Sequence, residues 1–235
     1  MSLNQAAAIL GLVSVARSPR AGGGALITFE GGEASGKSTQ VELLAGWLTE
    51  EGYSVVTARE PGTTAVGLAA RNALLDVDDE LAPHAELALF VAARAQLAAT
   101  VVTPALVAGK IVLLDRFGDS SVAYQGYGRG LEPERIAEWN RWATGGLVPD
   151  LTILIDVPVS DAVDRRGDKP PDRLERAGDE FHERVRAGYK KLAANEPCRF
   201  FVLDGRQPID ELQSAIRSRV GELLETGSSQ RMAPE

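Results

Sequence analysis

The chain has 235 residues and a net charge of −8, with 44% hydrophobic and 25% charged residues. This length and composition fit one α/β domain with a well-covered central sheet. No long lysine or arginine run is present, which argues against a general nucleic-acid-binding surface. Cys198 is the only cysteine, which excludes an internal disulfide and a zinc cluster and favours a reducing cytosol.

The two ends of the chain are predicted to lie outside the folded domain. Residues 1–24 are expected to form a flexible extension, because the apolar run at 6–16 has no preceding positive charge and is too short to cross a bilayer. A remnant of a longer membrane-attached chain and a signal peptide are the alternatives. The domain is expected over residues 25–226, followed by a flexible tail at 227–235.

Between these ends, short β-rich runs alternate with helical stretches. The β-rich runs are nearly continuous in apolar residues, as strands covered on both faces are. Strands are predicted at 26–30, 54–58, 111–115, 151–157 and 199–203, and helices at 38–51, 64–75, 83–108, 132–144, 175–195 and 209–225. The expected fold is a three-layer α/β domain with a five-stranded parallel sheet and helices on both faces.

In such a sheet, ligands bind beyond the carboxyl ends of the strands. The first strand is followed there by EGGEASGKST, with the spacing Gly-x-x-x-x-Gly-Lys-Ser. Its backbone N–H groups and the helix N-terminus suit a polyphosphate, the lysine reaches the β- and γ-phosphates, and the serine hydroxyl ligates Mg²⁺. The motif predicts a P-loop NTPase fold that binds ATP through Gly31, Gly32, Glu33, Ala34, Ser35, Gly36, Lys37, Ser38 and Thr39.

Asp115 ends the apolar run IVLLD, where nucleotide sites place a carboxylate near the metal ion. Asp115 and Ser38 are therefore the predicted Mg²⁺ ligands. The alternative for Asp115 is a carboxylate that caps a neighbouring helix.

The same loop serves GTPases, motors and kinases. The segment DRFG at 115–118 fits the D-x-x-G pattern of a GTPase switch, but no guanine-reading N-K-x-D occurs in the sequence. Many cations lie near the predicted ligand edge, which favours a kinase, because two phosphorylated substrates need more positive charge than one nucleotide does. These cations are Arg59, Arg71, Arg94, Arg116, Arg129, Arg165, Arg166, Lys169 and Arg173.

From residue 26 to about residue 224, the chain resembles bacterial thymidylate kinases. Five segments carry the resemblance in order: FEGGEASGKST, AREPGTT, LALFVAARAQ, DRFGDSSVAYQGYGRG and DRLE. The resemblance implies a cytoplasmic, usually homodimeric enzyme that uses ATP and Mg²⁺ to convert dTMP to dTDP. No nucleic-acid partner and no stable membrane contact are expected. Another nucleoside monophosphate kinase, such as one for dCMP, and a nucleotide-dependent switch are the alternatives.

The resemblance also implies an acceptor site. Phe90 would stack on thymine and Arg94 would contact its O4, although helix spacing alone favours a core phenylalanine and a surface ion pair. Arg116 would grip the acceptor's phosphate. Glu33 would contact the 3′-hydroxyl, its alternative being a solvated loop charge. Tyr124 would crowd a 2′-hydroxyl, its alternative being a packing tyrosine. Further matching positions are Glu60, Pro61, Ser121 and Gln125.

Residues 158–173 are predicted to form a lid, with a solvated charged loop as the alternative. The phosphate loop contains no arginine, and the resemblance implies that the lid then supplies the catalytic arginines, first Arg166 and second Arg173. They would act together with Lys37 and Arg116. No general base is expected, because a phosphate monoester is mostly a dianion at neutral pH. One departure from the family pattern is Thr63, which stands where the family commonly has glycine.

Overall fold

The structure is a computed structural model that describes residues 23–75, 80–167 and 171–229. The side chains of Arg166 and of residues 227–229 lie outside this description. Residues 1–22 of the predicted extension (1–24) and residues 230–235 of the predicted tail (227–235) also lie outside it.

Five parallel strands form one sheet in the order β2-β3-β1-β4-β5. Phe29 in the central strand pairs with Asp115 on one side and Ile153 on the other, so the carboxyl ends of these strands lie at one edge. This arrangement confirms the predicted parallel α/β fold. The strands are β1 (Ala25–Glu30), β2 (Val55–Arg59), β3 (Ile111–Asp115), β4 (Leu151–Asp156) and β5 (Phe200–Asp204).

Helices surround the sheet within the described part of the chain. They are α1 (Lys37–Glu50), α2 (Ala65–Leu75), α3 (Pro83–Leu97), α4 (Thr103–Val107), α5 (Gly118–Ser121), α6 (Pro133–Ala143), α7 (Val159–Arg166), α8 (Asp179–Asn195) and α9 (Ile209–Ser229). Two π-helical segments, Ala98–Val102 and Val122–Gly128, follow α3 and α5. A 3-10 turn, Glu175–Ala177, precedes α8.

Four elements differ from the sequence prediction. The predicted lid contains a helix, α7, and the segment after β3 is helical from Gly118 to Gly128, where no helix was predicted. The helix predicted at 175–195 is broken at Gly178, whose φ of +88° is a left-handed conformation that an L side chain rarely adopts. The last helix continues to Ser229, beyond its predicted end at residue 225.

Alternate residues of the sheet enter cores on opposite faces, as the period of a strand requires. On one face, Ile27 and Phe29 pack with Leu44 of α1 and Ile216 of α9. On the other face, Leu26, Val112 and Leu114 pack with Leu97 and Val102 of the α3–α4 run. The result is the predicted three-layer arrangement.

The helical run from Pro83 to Val107 is long and apolar enough to cross a membrane by length and composition, with a mean hydropathy of 1.5. In the structure, however, it covers the sheet through Leu97 and Val102. It also carries Glu86 and Arg94, both buried. Buried ion-paired side chains and apolar contacts with a sheet are typical of a core helix in a soluble protein.

Candidate active site

The phosphate loop connects β1 to α1 and curls around the side chain of Lys37. Lys37 Nζ donates to the carbonyl oxygens of Gly31 at 3.3 Å and Gly32 at 2.6 Å, and to Ser35 Oγ at 3.1 Å. Gly31 has a φ of +140°, and a Cβ there would lie 2.4 Å from the carbonyl oxygen of Ile155. Glycine is therefore required at this point, because any larger residue would collide with β4.

Burial lowers the pKa of Lys37 to about 8, and the nearby positive charge of Arg116 acts in the same direction. The predicted metal ligands lie next to this lysine. Ser38 Oγ donates to Asp115 Oδ2 at 2.6 Å, which joins the start of α1 to the end of β3. The two predicted Mg²⁺ ligands are thus brought together.

Arg116 lies at the centre of the site and has a φ of +71°, an uncommon conformation for a residue other than glycine. Its Nη2 donates to Glu33 Oε1 at 2.6 Å and to Tyr124 Oη at 3.2 Å, and Tyr124 Oη donates to the same Glu33 oxygen at 2.8 Å. Burial alone would raise the pKa of Glu33, but Arg116, Lys37 and the Tyr124 hydrogen bond together lower it to about 2. Glu33 is therefore a stable carboxylate in contact with a guanidinium.

A cavity that we call the Phe90 cavity opens beside Arg116. It extends from Glu33 of the phosphate loop to the ring of Phe90 on α3. Among the acceptor residues predicted from the resemblance, the structure places all except Arg94 on its wall. The wall consists of Glu33, Arg59, Glu60, Pro61, Arg71, Leu75, Phe90, Arg116, Ser120, Ser121, Tyr124, Gln125, Asp172 and Leu174.

Arg94 lies behind this wall and is only 1% exposed. Its Nε donates to Glu60 Oε2 at 2.7 Å, and its Nη1 donates to Ser121 Oγ at 3.0 Å and to Asn140 Oδ1 at 2.5 Å. Burial raises the pKa of Glu60 to about 7, against the attraction of Arg94. The arginine therefore supports two residues of the cavity wall, and its predicted contact with the base stays a prediction.

Glu86 on α3 ties three other polar side chains together at the far end of the cavity. Its carboxylate is fully buried and accepts hydrogen bonds from Gln125 Nε2 at 2.8 Å, Arg129 Nη2 at 3.2 Å and Arg173 Nη2 at 2.6 Å. Arg173 Nε also donates to the carbonyl oxygen of Leu74 at 2.6 Å. Arg173 is thus anchored away from the phosphate loop, and its predicted catalytic function stays a prediction.

The predicted lid begins at α7. Arg165 Nη2 donates to the carbonyl oxygen of Gly205 at 2.8 Å, which links α7 to the loop after β5. The side chain of Arg166 and the whole of Lys169 lie outside the described residues. A second cavity of about 200 Å³, the lid cavity, lies between the phosphate loop, the end of β4, α7 and α8.

The comparisons with known proteins agree on one family. The family model described as Thymidylate kinase matches residues 29–216. A thymidylate kinase from Geotalea uraniireducens (strain Rf4) is 48% identical over 205 residues, covering 84% of this chain and 96% of the relative. One from Leifsonia xyli subsp. xyli (strain CTCB07) is 49% identical over 199 residues, covering 84% and 94%. The chain belongs to the thymidylate kinase family.

A solved structure supports this assignment. The crystal structure of thymidylate kinase from Ehrlichia chaffeensis superposes with a TM-score of 0.70 at 34% sequence identity. The match covers 84% of this chain and 99% of that chain. The family assignment confirms the resemblance that was stated from the five sequence segments.

Several residues that contact the site of this thymidylate kinase family member were not predicted from the sequence. Asn140 reaches the site from α6, and Tyr189 from α8, across long stretches of chain. Glu86 could have been found, because 86, 90 and 94 are four residues apart and share one face of α3. Thr63, the departure from the family pattern, has no positive φ and instead accepts from Arg59 N at 2.8 Å through its hydroxyl.

Proposed function

We propose that this thymidylate kinase family protein transfers the γ-phosphoryl group of ATP to dTMP, yielding ADP and dTDP, with Mg²⁺ as cofactor. The observation that carries the proposal is the meeting of two sites. The phosphate loop and the Phe90 cavity share Glu33, and Arg116 lies at their junction. A donor polyphosphate on the loop and an acceptor phosphate in the cavity would face each other there.

The phosphate loop is the proposed ATP site, with residues 31–39 around the polyphosphate. Lys37 Nζ at present binds loop carbonyl oxygens, which a γ-phosphate oxygen could replace as its partners. The negative charge of ATP would favour the ammonium form of Lys37 and oppose the pKa lowering caused by burial. ATP binding would therefore keep Lys37 in the positively charged form that catalysis requires.

Ser38 and Asp115 fit a magnesium ion, because both offer oxygen ligands and lie within hydrogen-bond distance of each other. When bound, Mg²⁺ neutralises charge on the β- and γ-phosphates. The hydrogen bond between Ser38 and Asp115 keeps both oxygens at the start of α1 and the end of β3.

The Phe90 cavity is the proposed dTMP site. Phe90 and Pro61 offer apolar surface to the pyrimidine, and Ser121 and Gln125 offer polar groups on the same wall. Gln125 Nε2 is used by Glu86, so its amide oxygen is oriented as the group that can accept from the N–H of thymine. This polarity suits a thymine edge.

The sugar and phosphate would lie closer to the phosphate loop. Arg116 would bind the phosphate, and Glu33 would accept from the 3′-hydroxyl. The ring of Tyr124 is almost fully buried between neighbouring rings, so it cannot move aside for a 2′-hydroxyl. This rigidity supports a preference for deoxyribose.

Catalysis in this proposal is alignment and charge stabilisation rather than proton transfer. The acceptor phosphate attacks as a dianion, so no side chain has to remove a proton. Lys37, Arg116 and Arg166 of the lid would stabilise the negative charge of the transferring group. Closure of the lid would exclude water and so prevent hydrolysis of ATP.

The experiment that tests the proposal is an ADP-release assay with ATP, Mg²⁺ and a panel of nucleoside monophosphates. We expect ADP to form with dTMP at least tenfold faster than with dCMP, as a hydrogen-bonded base edge requires. UMP should also react more slowly, because Tyr124 would exclude its 2′-hydroxyl, and without an acceptor little ADP should form. Preference for dCMP would instead indicate another monophosphate kinase. ADP formation that needs no acceptor would indicate a nucleotide-dependent switch.

The proposal also includes a cytoplasmic homodimer, as the resemblance implies. Sedimentation of the full chain at several concentrations measures the oligomeric state. A monomer at all of them would contradict the dimer without affecting the proposed reaction.

A further inference from the structure

Glu30 is a buried carboxylate to which the proposed reaction assigns no function. It is the last residue of β1, is fully buried, and directly precedes the phosphate loop. An isolated buried carboxylate is costly, so its partners are informative. The backbone N–H of Phe117 donates to Oε1 at 2.8 Å, and the hydroxyls of Ser120 and Tyr189 donate to Oε2 at 2.6 and 2.9 Å.

The same two hydroxyls contact the central arginine. Arg116 Nη1 donates to the carbonyl oxygen of Gly31 at 3.0 Å and, at 3.3 Å each, to Ser120 Oγ and Tyr189 Oη. A hydroxyl has one proton, and an ionised carboxylate can only accept. The two hydroxyl oxygens also lie 2.8 Å from each other. Whether both protons point to Glu30, or one points to the other hydroxyl, both oxygens keep lone pairs for the guanidinium. The ionised carboxylate therefore makes both hydroxyls acceptors for Arg116.

We propose that Glu30 is a positioning residue that holds Arg116 for the acceptor's phosphate through the hydroxyls of Ser120 and Tyr189. This inference rests on the proposed function of Arg116. The two hydroxyls and the carbonyl oxygen of Gly31 hold Nη1, and Nη2 is directed at Glu33 on the side of the Phe90 cavity. A neutral group in place of the carboxylate would turn a hydroxyl proton towards Arg116. The hydroxyls would then hold the guanidinium less firmly.

The charges around Glu30 make its ionisation sensitive to pH. Burial and then the negative charge of Asp119 raise the pKa of Glu30 to about 7, while the Ser120 hydrogen bond and Arg116 act in the opposite direction. Lys37 and the Tyr189 hydroxyl are the other titratable groups facing it. The contribution of Glu30 to the hold on Arg116 is therefore largest well above pH 7 and is lost as pH falls through that value.

The test compares wild type with Glu30→Gln in the dTMP-dependent ADP-release assay from pH 6 to pH 8.5. At pH 8 we expect the KM for dTMP to rise about tenfold, the effect of losing one hydrogen bond to a charged group, with the KM for ATP unchanged. The ratio of wild-type to variant kcat/KM should fall towards one at pH 6, where wild-type Glu30 is also neutral. Ionisation of the dTMP phosphate affects both enzymes equally and cancels in this ratio.

Thr28→Val is the matched control. Thr28 is fully buried on the same strand, two residues before Glu30, and its hydroxyl pairs with Thr152 Oγ1 at 2.9 Å rather than with the site. We expect this variant to keep the wild-type KM for dTMP. Glu30→Gln kinetics that match Thr28→Val would overturn the proposal. A pH-independent loss that also raises the KM for ATP would overturn it too, because a merely structural effect gives that result.

Should Glu30→Gln fail to fold, Tyr189→Phe and Ser120→Ala test the same proposal, because each removes one of the two hydroxyls. Each is expected to raise the KM for dTMP about threefold, part of the full effect, while the ATP KM stays constant. Unchanged dTMP kinetics in both would refute it. The wild-type assay distinguishes the two possible failures. If the proposed function itself is wrong, wild type forms no dTMP-dependent ADP; if only the proposal for Glu30 is wrong, wild type remains active with dTMP.

Discussion

The hydroxyl and the ring of Tyr124 are expected to have separate functions. From the sequence, only the ring has a predicted function, the exclusion of a 2′-hydroxyl. The structure adds two hydrogen bonds: Tyr124 Oη donates to Glu33 Oε1 at 2.8 Å and accepts from Arg116 Nη2 at 3.2 Å. Tyr124→Phe removes both bonds and keeps the ring.

The expected loss of kcat/KM in Tyr124→Phe depends on which contacts of Arg116 and Glu33 remain in the variant. A hydrogen bond to a charged group contributes about 1.5–3 kcal/mol, and Tyr124 makes two. The direct contact between Arg116 and Glu33 at 2.6 Å survives, so the net loss should lie near the lower limit. About 1.5 kcal/mol corresponds to about tenfold in kcat/KM for dTMP. Discrimination against the ribonucleotide should be unchanged, whereas Tyr124→Ala should lose it as well.

The measurement is kcat/KM for dTMP and for ribothymidine monophosphate in the ADP-release assay. Tyr127→Phe is the matched control, because Tyr127 lies in the same π-helical segment and its ring packs against Gly188 and the Lys191 ammonium, away from Arg116. If Tyr124→Phe and Tyr127→Phe have the same kcat/KM for dTMP, the hydroxyl has no function in the site. If Tyr124→Ala still rejects the ribonucleotide, the steric explanation is wrong.

Three further predictions concern charged residues. Lys37→Ala should lower kcat by about 10²–10³-fold or more with the fold retained by circular dichroism, and an unchanged rate would refute the phosphate-loop function. Arg166→Ala should lower kcat more than it raises the KM for dTMP, and a pure KM effect would make it a binding residue. Glu86→Gln should cost about 2–3 kcal/mol in urea unfolding, because two guanidiniums lose their buried partner, whereas the exposed Glu132→Gln should cost little. Burial is the largest single effect on the pKa of Glu86 and raises it, but the Gln125 hydrogen bond and the two guanidiniums together lower it below 4.5. The stabilisation by Glu86 is therefore present above pH 4.5 and is lost as pH falls through the lowered pKa. A Glu86→Gln penalty that does not shrink in acid would contradict this assignment.

The sequence predicted those parts of the fold that depend on a residue pattern within one short segment. The run IVLLD identifies β3 because a strand covered on both faces must be apolar throughout. The phosphate loop is also local, since its glycines, lysine and serine act within ten residues of one another. Segments without such a pattern were missed: α7 is short and highly charged, and Val122–Gly128 contains glycines that do not suggest a helix.

Contacts between distant segments could not be predicted in the same way. The spacing of Phe90 and Arg94 predicts a shared face of α3, and in the structure Phe90 lies on the cavity wall while Arg94 lies behind it. Which groups pair with Arg94 depends on where α6 and the loop after β2 pack, and those supply Asn140 and Glu60. A positively charged residue four positions from an aromatic ring therefore indicates a shared face, but not whether the charge meets a ligand or a buried carboxylate.

The ion pairs in the structure leave less positive charge for the substrates than the sequence suggested. Sequence reasoning assigned all the cations near the ligand edge to two phosphorylated substrates, but the structure pairs Arg94 with Glu60, and both Arg129 and Arg173 with Glu86. Of the described cations, Arg59, Arg71 and Arg116 lie on the wall of the Phe90 cavity, and Arg116 is partly neutralised by Glu33. Two polyanions brought into contact need further positive charge at the transferring group. Under the proposed reaction, that charge must come from Mg²⁺ and from the lid, which is why the Arg166 variant should affect turnover rather than binding.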